Sequence, residues 1–116
     1  MNNVLEINGE KAIIAFDPEI RMLRGEFIGL SGGADFYAES VNELIEEGRK
    51  SLAIYLDMCR EKGIEPRRKF SGKFNVRLDP KDHAAAVIAA AAAGKSLNEW
   101  VVGALREAAE EPQYGA

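Results

Sequence analysis

The feature that most constrains this fold is one short alternating stretch followed by two helical segments, all within residues 70–105. In residues 72–78, Phe74, Val76 and Leu78 alternate with polar residues. Successive side chains of a strand point to opposite faces, so this pattern predicts a β-strand with one apolar and one polar face. A single strand leaves both of its edges unpaired, and the strand therefore needs a partner.

Two capped helices are predicted after this strand. Asp79 can cap the first of them (helix A), with Pro80 at its first position and an Ala-rich run over residues 81–93. Ser96 and Glu99 have the spacing of a capping box at the start of the second (helix B). The apolar residues of helix B recur at helical spacing: Leu97, Trp100, Val101, Ala104, Leu105 and Ala108.

One strand and two helices cannot close a core alone, so we expect an intertwined homodimer in which two such strands pair antiparallel. Whether dimers pair further into tetramers stays open. The predicted dimer core consists of Phe74, Val76, Leu78, Val87, Ile88, Leu97, Trp100, Val101 and Leu105.

The polar face of the paired strands would form a two-stranded ribbon, which fits the DNA major groove. Lys and Arg can donate to guanine and Asn can pair with adenine, so Lys73, Asn75 and Arg77 are the predicted base-reading residues. The alternative is an ordinary amphipathic edge strand with a solvated polar face.

The order of strand, Asp79-Pro80, helix, turn and second helix resembles the ribbon-helix-helix family of DNA-binding proteins. In that family the start of helix B anchors a phosphate, and the resemblance implies that role here for Lys95, Ser96 and Leu97. The basic residues Arg68 and Lys69, just before the strand, are further predicted phosphate contacts.

Charge divides the chain into two predicted domains. Residues 1–66 carry seven Lys and Arg against thirteen Asp and Glu, a net charge of −6, whereas residues 67–116 carry eight against six, a net charge of +2. Between them, residues 64–69 form a polar linker in which Pro66 prevents continuation of a helix.

The first domain is predicted to be an α+β module with the order β-β-β-α. Residues 11–16 and 22–30 are β-like around a proline turn, and a third strand is expected at residues 34–38. Ser40 caps a long helix that ends near Gly63. Its apolar stripe is Val41, Leu44, Ile45, Gly48, Leu52, Tyr55, Leu56 and Cys59.

Such a module joined to a ribbon-helix-helix domain resembles the HicB family of antitoxins, and residues 16–19, 25–30, 39–44, 55–59 and 70–78 carry the likeness. The resemblance implies that the first domain has a partly degraded ribonuclease-H-like fold and covers a HicA-type, mRNA-cleaving toxin. It also implies that the ribbon binds operator DNA and represses the protein's own operon. The alternative is a stand-alone ribbon-helix-helix regulator whose first domain senses a ligand or oligomerises.

We do not expect an enzyme, although a residual nuclease is a third hypothesis. The acidic residues Asp17, Glu19, Glu26, Asp35 and Glu43 show no spacing that would make them converge on a metal. His83 lacks neighbours that would complete a metal or catalytic set. We therefore expect no catalytic residues, no metal and no cofactor.

The sequence further predicts a soluble, cytoplasmic protein. Its apolar runs are too short for a membrane span, and residues 1–6 lack the features of a signal peptide. Cys59 is the only cysteine, so an internal disulfide is excluded and a buried, hydrophobic role is expected for this side chain.

Overall fold

The computed structural model describes residues 3–110, which contain four strands and three helices. They are β1 (Val4–Ile7), β2 (Glu10–Asp17), β3 (Met22–Phe27), β4 (Asp35–Ala38), α1 (Val41–Lys62), α2 (Pro80–Ala92) and α3 (Leu97–Glu110). The chain is divided into two compact units, a first unit (Met1–Ser71) and a second unit (Gly72–Ala116). Two short ranges lie outside the described residues. They are residues 1–2, which belong to the segment considered above as a signal peptide, and residues 111–116, which belong to the predicted second domain.

The first unit is built on an antiparallel sheet with the order β1-β2-β3-β4. The predicted hairpin is confirmed as β2 and β3, paired from Ala12↔Phe27 to Asp17↔Met22. In its turn, the Glu19 backbone N–H donates to Asp17 Oδ1 at 3.0 Å. The prediction that the second of these strands extends to Leu30 is wrong, because Leu30 leaves the ladder and forms an isolated bridge with Arg67.

The prediction of three strands is also wrong, because β1 adds a fourth. Ile7 pairs with Glu10 across the two-residue turn Asn8-Gly9, whose φ angles are +49° and +86°. Asn-Gly is the residue pair that favours a hairpin turn with two positive φ angles. The sequence therefore contained a signal for β1 that the alternation pattern of these four residues did not show.

Helix α1 covers one face of the sheet. Ser40 Oγ accepts a hydrogen bond from the Glu43 backbone N–H at 3.2 Å, and Gly63 ends the helix with a φ of +65°. A Cβ atom on Gly48 would lie 2.6 Å from Ile7 Cδ1, so glycine lets the helix approach the sheet closely. The apolar side chains that close this core are Ile7, Ala12, Phe27, Leu30, Ala34, Phe36, Ala38, Leu44, Leu52, Tyr55 and Cys59.

The predicted stripe of α1 is only partly correct. Leu44, Gly48, Leu52, Tyr55 and Cys59 are buried, and the buried position of Cys59 confirms its predicted role. In contrast, the first residue of the stripe, Val41, is 52% exposed. Val41 is the first residue of the helix.

The segment predicted to be a linker packs against the first unit. Pro66 O accepts a hydrogen bond from the Ser31 backbone N–H at 2.9 Å, and the Arg68 N–H donates to Gly29 O at the same distance. Arg67 Nε donates to Glu10 Oε1 at 2.6 Å. These bonds hold residues 66–68 beside the segment that follows β3. The boundary between the two compact units therefore lies after Ser71, beyond the predicted linker.

The second unit contains both predicted helices, α2 for helix A and α3 for helix B. Asp79 Oδ1 accepts a hydrogen bond from the Lys81 N–H at 2.9 Å, so the predicted cap of α2 is confirmed. Gly94, with a φ of +69°, follows the end of α2. None of the helices within residues 3–110 has both the length and the apolar character that a membrane crossing requires.

Residues 72–79 lie in neither a helix nor a strand. The predicted strand over residues 72–78 is therefore not formed in the single chain. A strand is defined by hydrogen bonds to a neighbouring strand, and the neighbour that the sequence predicts belongs to a second copy of the chain. The α+β class is confirmed by the sheet and helices, whereas the finer fold assignments stay predictions.

Candidate nucleic-acid and partner interfaces

The second unit carries an open apolar groove of about 820 Å³. Its lining residues come from the chain before α2 and from both helices: Val76, Leu78, Asp82, His83, Ala85, Ala86, Ala89, Leu97, Trp100, Val101, Ala104, Leu105 and Ala108. The short alanine side chains of α2 leave space that larger residues would fill. We call this feature the apolar groove.

Six of the nine predicted dimer-core residues line the apolar groove: Val76, Leu78, Leu97, Trp100, Val101 and Leu105. The other three, Phe74, Val87 and Ile88, lie outside it and are exposed. Among the described residues of the second unit, Ala90 alone is buried. This unit therefore does not close a core of its own, and large exposed apolar surfaces of this kind mark sites of protein association.

The three predicted base-reading residues, Lys73, Asn75 and Arg77, are exposed in the single chain. They alternate with Phe74 and Val76, which are 70% and 60% exposed. Their backbone is not held in a ladder, so the single chain does not fix one common face for their side chains. Base reading stays a prediction that depends on the pairing of two such segments.

The start of α3 offers fewer hydrogen-bond donors than the sequence predicts. The Lys95 N–H donates to Ala90 O at 2.9 Å, and the Ser96 N–H donates to Glu99 Oε1 at 3.3 Å. The Glu99 N–H in turn donates to Ser96 Oγ at 3.1 Å, which completes the predicted capping box. Of the three phosphate contacts predicted at this helix start, only Leu97 has a backbone N–H in the first turn, where helix geometry provides no acceptor.

The two remaining predicted phosphate contacts lie in the first unit. The backbone of Arg68 is bonded to Gly29, and its guanidinium carbon lies 5.2 Å from the centroid of the Phe70 ring. Lys69 is exposed beside it. The structure therefore places both basic residues in a different compact unit from Lys73, Asn75 and Arg77.

Three of the acidic residues considered for metal binding, Asp17, Glu26 and Asp35, have local partners. Arg24 Nη2 lies 2.6 Å from Asp35 Oδ2 and 3.4 Å from Glu26 Oε2. The hydrogen bond and the negative charge of Asp35 raise the pKa of Arg24 above its ordinary value. The two carboxylates meet because Glu26 and Asp35 are opposite each other on β3 and β4, and an arginine lies with them. Asp17 accepts the hydrogen bond of its own turn.

Sequence reasoning missed two features of the first unit. One is the ion pair of Arg67 with Glu10, whose side chain is only 10% exposed. No local pattern could reveal a pair 57 positions apart. The other is an apolar pocket of about 290 Å³ lined by Asn3, Val4, Leu5, Ile14, Ala15, Phe16, Leu23 and Val41. The sequence did contain one sign of this pocket, because Phe16 is a large apolar residue directly before the polar turn that begins at Asp17.

These features define an α+β protein with a self-contained sheet-and-helix unit and a second, two-helix unit that leaves an apolar groove open. A family model described as HicB family matches residues 55–105, from the last turns of α1 into α3. The match covers 51 of the 116 residues, so it shows that this part of the chain is similar to the HicB family. Comparisons with curated proteins and with solved structures found no match.

Proposed function

We propose that this protein is the antitoxin of a type II toxin–antitoxin system, which neutralises a HicA-type, mRNA-cleaving toxin and represses its own operon. The first unit, with its partly degraded ribonuclease-H-like fold, holds the toxin. The second units of two chains pair into a ribbon-helix-helix domain that binds operator DNA. The HicB family match supports the antitoxin role.

The open apolar groove is the observation that carries the DNA-binding half of the proposal. Val76 and Leu78 line the groove, and the polar residues alternate with them. When residues 72–78 of two chains pair antiparallel, the apolar face of the pair covers the apolar grooves of the two second units. Lys73, Asn75 and Arg77 then repeat about a two-fold axis on the outer face, at the width of a DNA major groove.

The acidic first domain supports the toxin-binding half. Residues 1–66 carry a net charge of −6, and a toxin that grips RNA needs a basic surface. Opposite charges steer such partners together and favour their complex over other pairings.

The toxin-binding half is tested by expressing this chain with the product of the adjacent reading frame. We expect a HicA-type protein that copurifies with the full chain and with a fragment of residues 1–71. The fragment ends at Ser71 because residues 66–68 are bonded to the first unit. A folded fragment that fails to bind a toxin held by the full chain would contradict this division of roles.

The DNA-binding half is tested by a salt titration of single variants on operator and on scrambled duplex. Asn75→Ala and Arg77→Ala should each cost about 1–3 kcal/mol on the operator and much less on the scrambled duplex. Arg68→Ala, as a phosphate contact, should weaken both alike and lower the salt slope by about 1. Arg106→Ala, an exposed arginine of α3, is the matched control. Equal losses on both duplexes for Asn75→Ala and Arg77→Ala would contradict base reading.

One observation favours the alternative of a ligand-sensing regulator. An open pocket of about 410 Å³ lies at the end of α1, lined by Leu56, Cys59, Arg60, Gly63, Ile64 and Pro66. This volume lies within the range of small-molecule sites. An operator-binding dimer encoded beside no toxin gene, with an affinity for DNA that changes with a small metabolite, would support this alternative.

A further inference from the structure

We propose that the toxin docks on the apolar pocket of the first unit, at the corner where β1, β2 and the start of α1 meet. We call this surface the docking patch and define it by the exposed side chains Val4, Phe16 and Val41. The inference rests on the proposed antitoxin function and deepens it by naming the surface that holds the toxin.

The docking patch is both exposed and firmly supported. Phe16 is 61% exposed, Val41 52% and Val4 45%, and all three line the same pocket. Beneath them, the half-buried residues Leu5, Ile14 and Leu23 line the pocket and pack against the core of the first unit. Exposed aromatic side chains above an apolar base are typical of protein interfaces.

Charge on the two segments that form the patch indicates which partner fits it. Asp17 and Glu19 follow Phe16, and Glu39 and Glu43 flank Val41. Arg21 is the one basic residue in residues 16–23 and 38–43 together. An apolar centre with an acidic surround is complementary to a basic surface that has an apolar contact of its own. An mRNA-cleaving toxin needs a basic face to hold RNA, and a complex formed on that face would exclude RNA from the toxin.

The rest of α1 shows that exposure alone does not make such a site. Ile54 is 70% exposed, more than any member of the docking patch. Its neighbours on the helix form local ion pairs, Arg49 with Glu46, Lys50 with Glu47 and Arg60 with Asp57. Ile54 is thirteen residues from Val41, or roughly 20 Å along the helix. It provides a matched control of the same chemistry in a different setting.

The experiment measures binding of the full chain to the purified HicA-type toxin of the adjacent reading frame, by calorimetry at low and high salt. Phe16→Ser and Val41→Ser should each weaken the complex about tenfold or more, whereas Ile54→Ser should leave it within about twofold. Glu19→Gln and Glu39→Gln should slow association and flatten its salt dependence, and Glu61→Gln near the far end of α1 should not. Circular dichroism checks that each variant is folded. The two apolar variants lie on different elements, so if one of them fails to fold, the other still tests the docking patch.

The outcomes separate this inference from the proposed function. If the wild-type chain binds the toxin and both apolar variants bind equally well, the docking patch is wrong while the antitoxin role stands. If the wild-type chain does not bind the toxin, the antitoxin role and the docking patch are both wrong. If Phe16→Ser reduces self-association in sedimentation without changing toxin binding, the patch joins copies of this chain, and the inference is overturned.

Discussion

The two units use the same local signals to form helices but differ in whether they close a core. Helices α1, α2 and α3 all begin with a side-chain cap, at Ser40, Asp79 and Ser96. Within residues 3–110, the first unit nevertheless buries eleven apolar side chains, whereas Ala90 alone is buried in the second. Caps thus determine where helices begin, but packing determines whether a unit is stable alone. We infer that the second unit depends on a partner and that the first does not.

The largest effect is expected from Leu44→Ala in the first unit. Leu44 is fully buried, so the substitution should lower the free energy of unfolding by about 2–5 kcal/mol. Because the first unit closes its own core, the loss should be independent of protein concentration in a denaturant titration.

Ile54→Ala is the control for that measurement, because Ile54 lies on the exposed side of α1. We expect its effect to stay within about 0.5 kcal/mol. If the Leu44→Ala loss changed with protein concentration, the first unit would also depend on a partner, and the contrast between the units would be lost.

The next effect concerns the dimer. Val76→Ala removes two carbons from the proposed dimer core, a loss of roughly 1.5 kcal/mol per chain and about 3 kcal/mol per dimer. The dimer dissociation constant should therefore rise about a hundredfold, which analytical ultracentrifugation can measure. Stability of the first unit should not change.

Val102→Ala provides the matched control. Val102 is exposed on α3 like Val76 before α2, but it does not line the apolar groove. A folded monomer of the wild-type chain at micromolar concentration would contradict the pairing of second units. Equal effects of the two substitutions would show that the groove is not the dimer surface.

A smaller effect is expected from Arg67→Met, which removes an ion pair within the first unit. The partner, Glu10, is 10% exposed, so its carboxylate would lose its bond in a place that water reaches poorly. We expect a loss of about 1–2 kcal/mol in the free energy of unfolding. Arg60→Met is the control, since Arg60 and Asp57 have the same 2.6 Å distance but are both well exposed. Equal losses for the two variants would show that burial of Glu10 does not matter.

These comparisons also explain how far the sequence could predict the structure. The helices were predictable because each cap is a contact between residues two or three positions apart, such as Asp79 with Lys81. The Asn8-Gly9 turn was equally local, and weighing turn residues as well as alternation would have predicted β1. The contact of Arg67 with Glu10 was not predictable, because it joins distant parts of the chain.

The candidate interfaces also show that local patterns were predictable and contacts between distant residues were not. The sequence identified Val76, Leu78 and Leu97 as apolar residues that need a cover, and the structure brings them into one groove. The sequence could not reveal that Val41 stays 52% exposed, because helical spacing shows which face a residue lies on and not how much of it the neighbouring elements cover. It also could not show that the Ser96 N–H is already bonded at the start of α3.

The smallest effect is expected from a substitution of Glu99 at the start of α3. The carboxylate of Glu99 has two opposing roles there, because it stabilises the helix but would repel a bound phosphate. Glu99 accepts hydrogen bonds from the Ser96 N–H and hydroxyl, and its negative charge interacts favourably with the helix dipole. The same charge would repel a phosphate bound at the Leu97 N–H. Glu99→Gln keeps a side chain that can form the capping box and removes only the charge.

If a phosphate binds there, Glu99→Gln should raise the affinity for operator and scrambled DNA alike, by about 0.3–1 kcal/mol, while lowering stability by a similar amount. Glu107→Gln removes the same charge from the far part of α3 and should not raise the affinity as much, because a helix dipole acts within its first and last turns. Equal gains for both variants would mean that DNA responds only to net charge. A loss of stability with no gain in affinity would mean that the start of α3 serves the fold alone, and that the dimer contacts phosphate elsewhere.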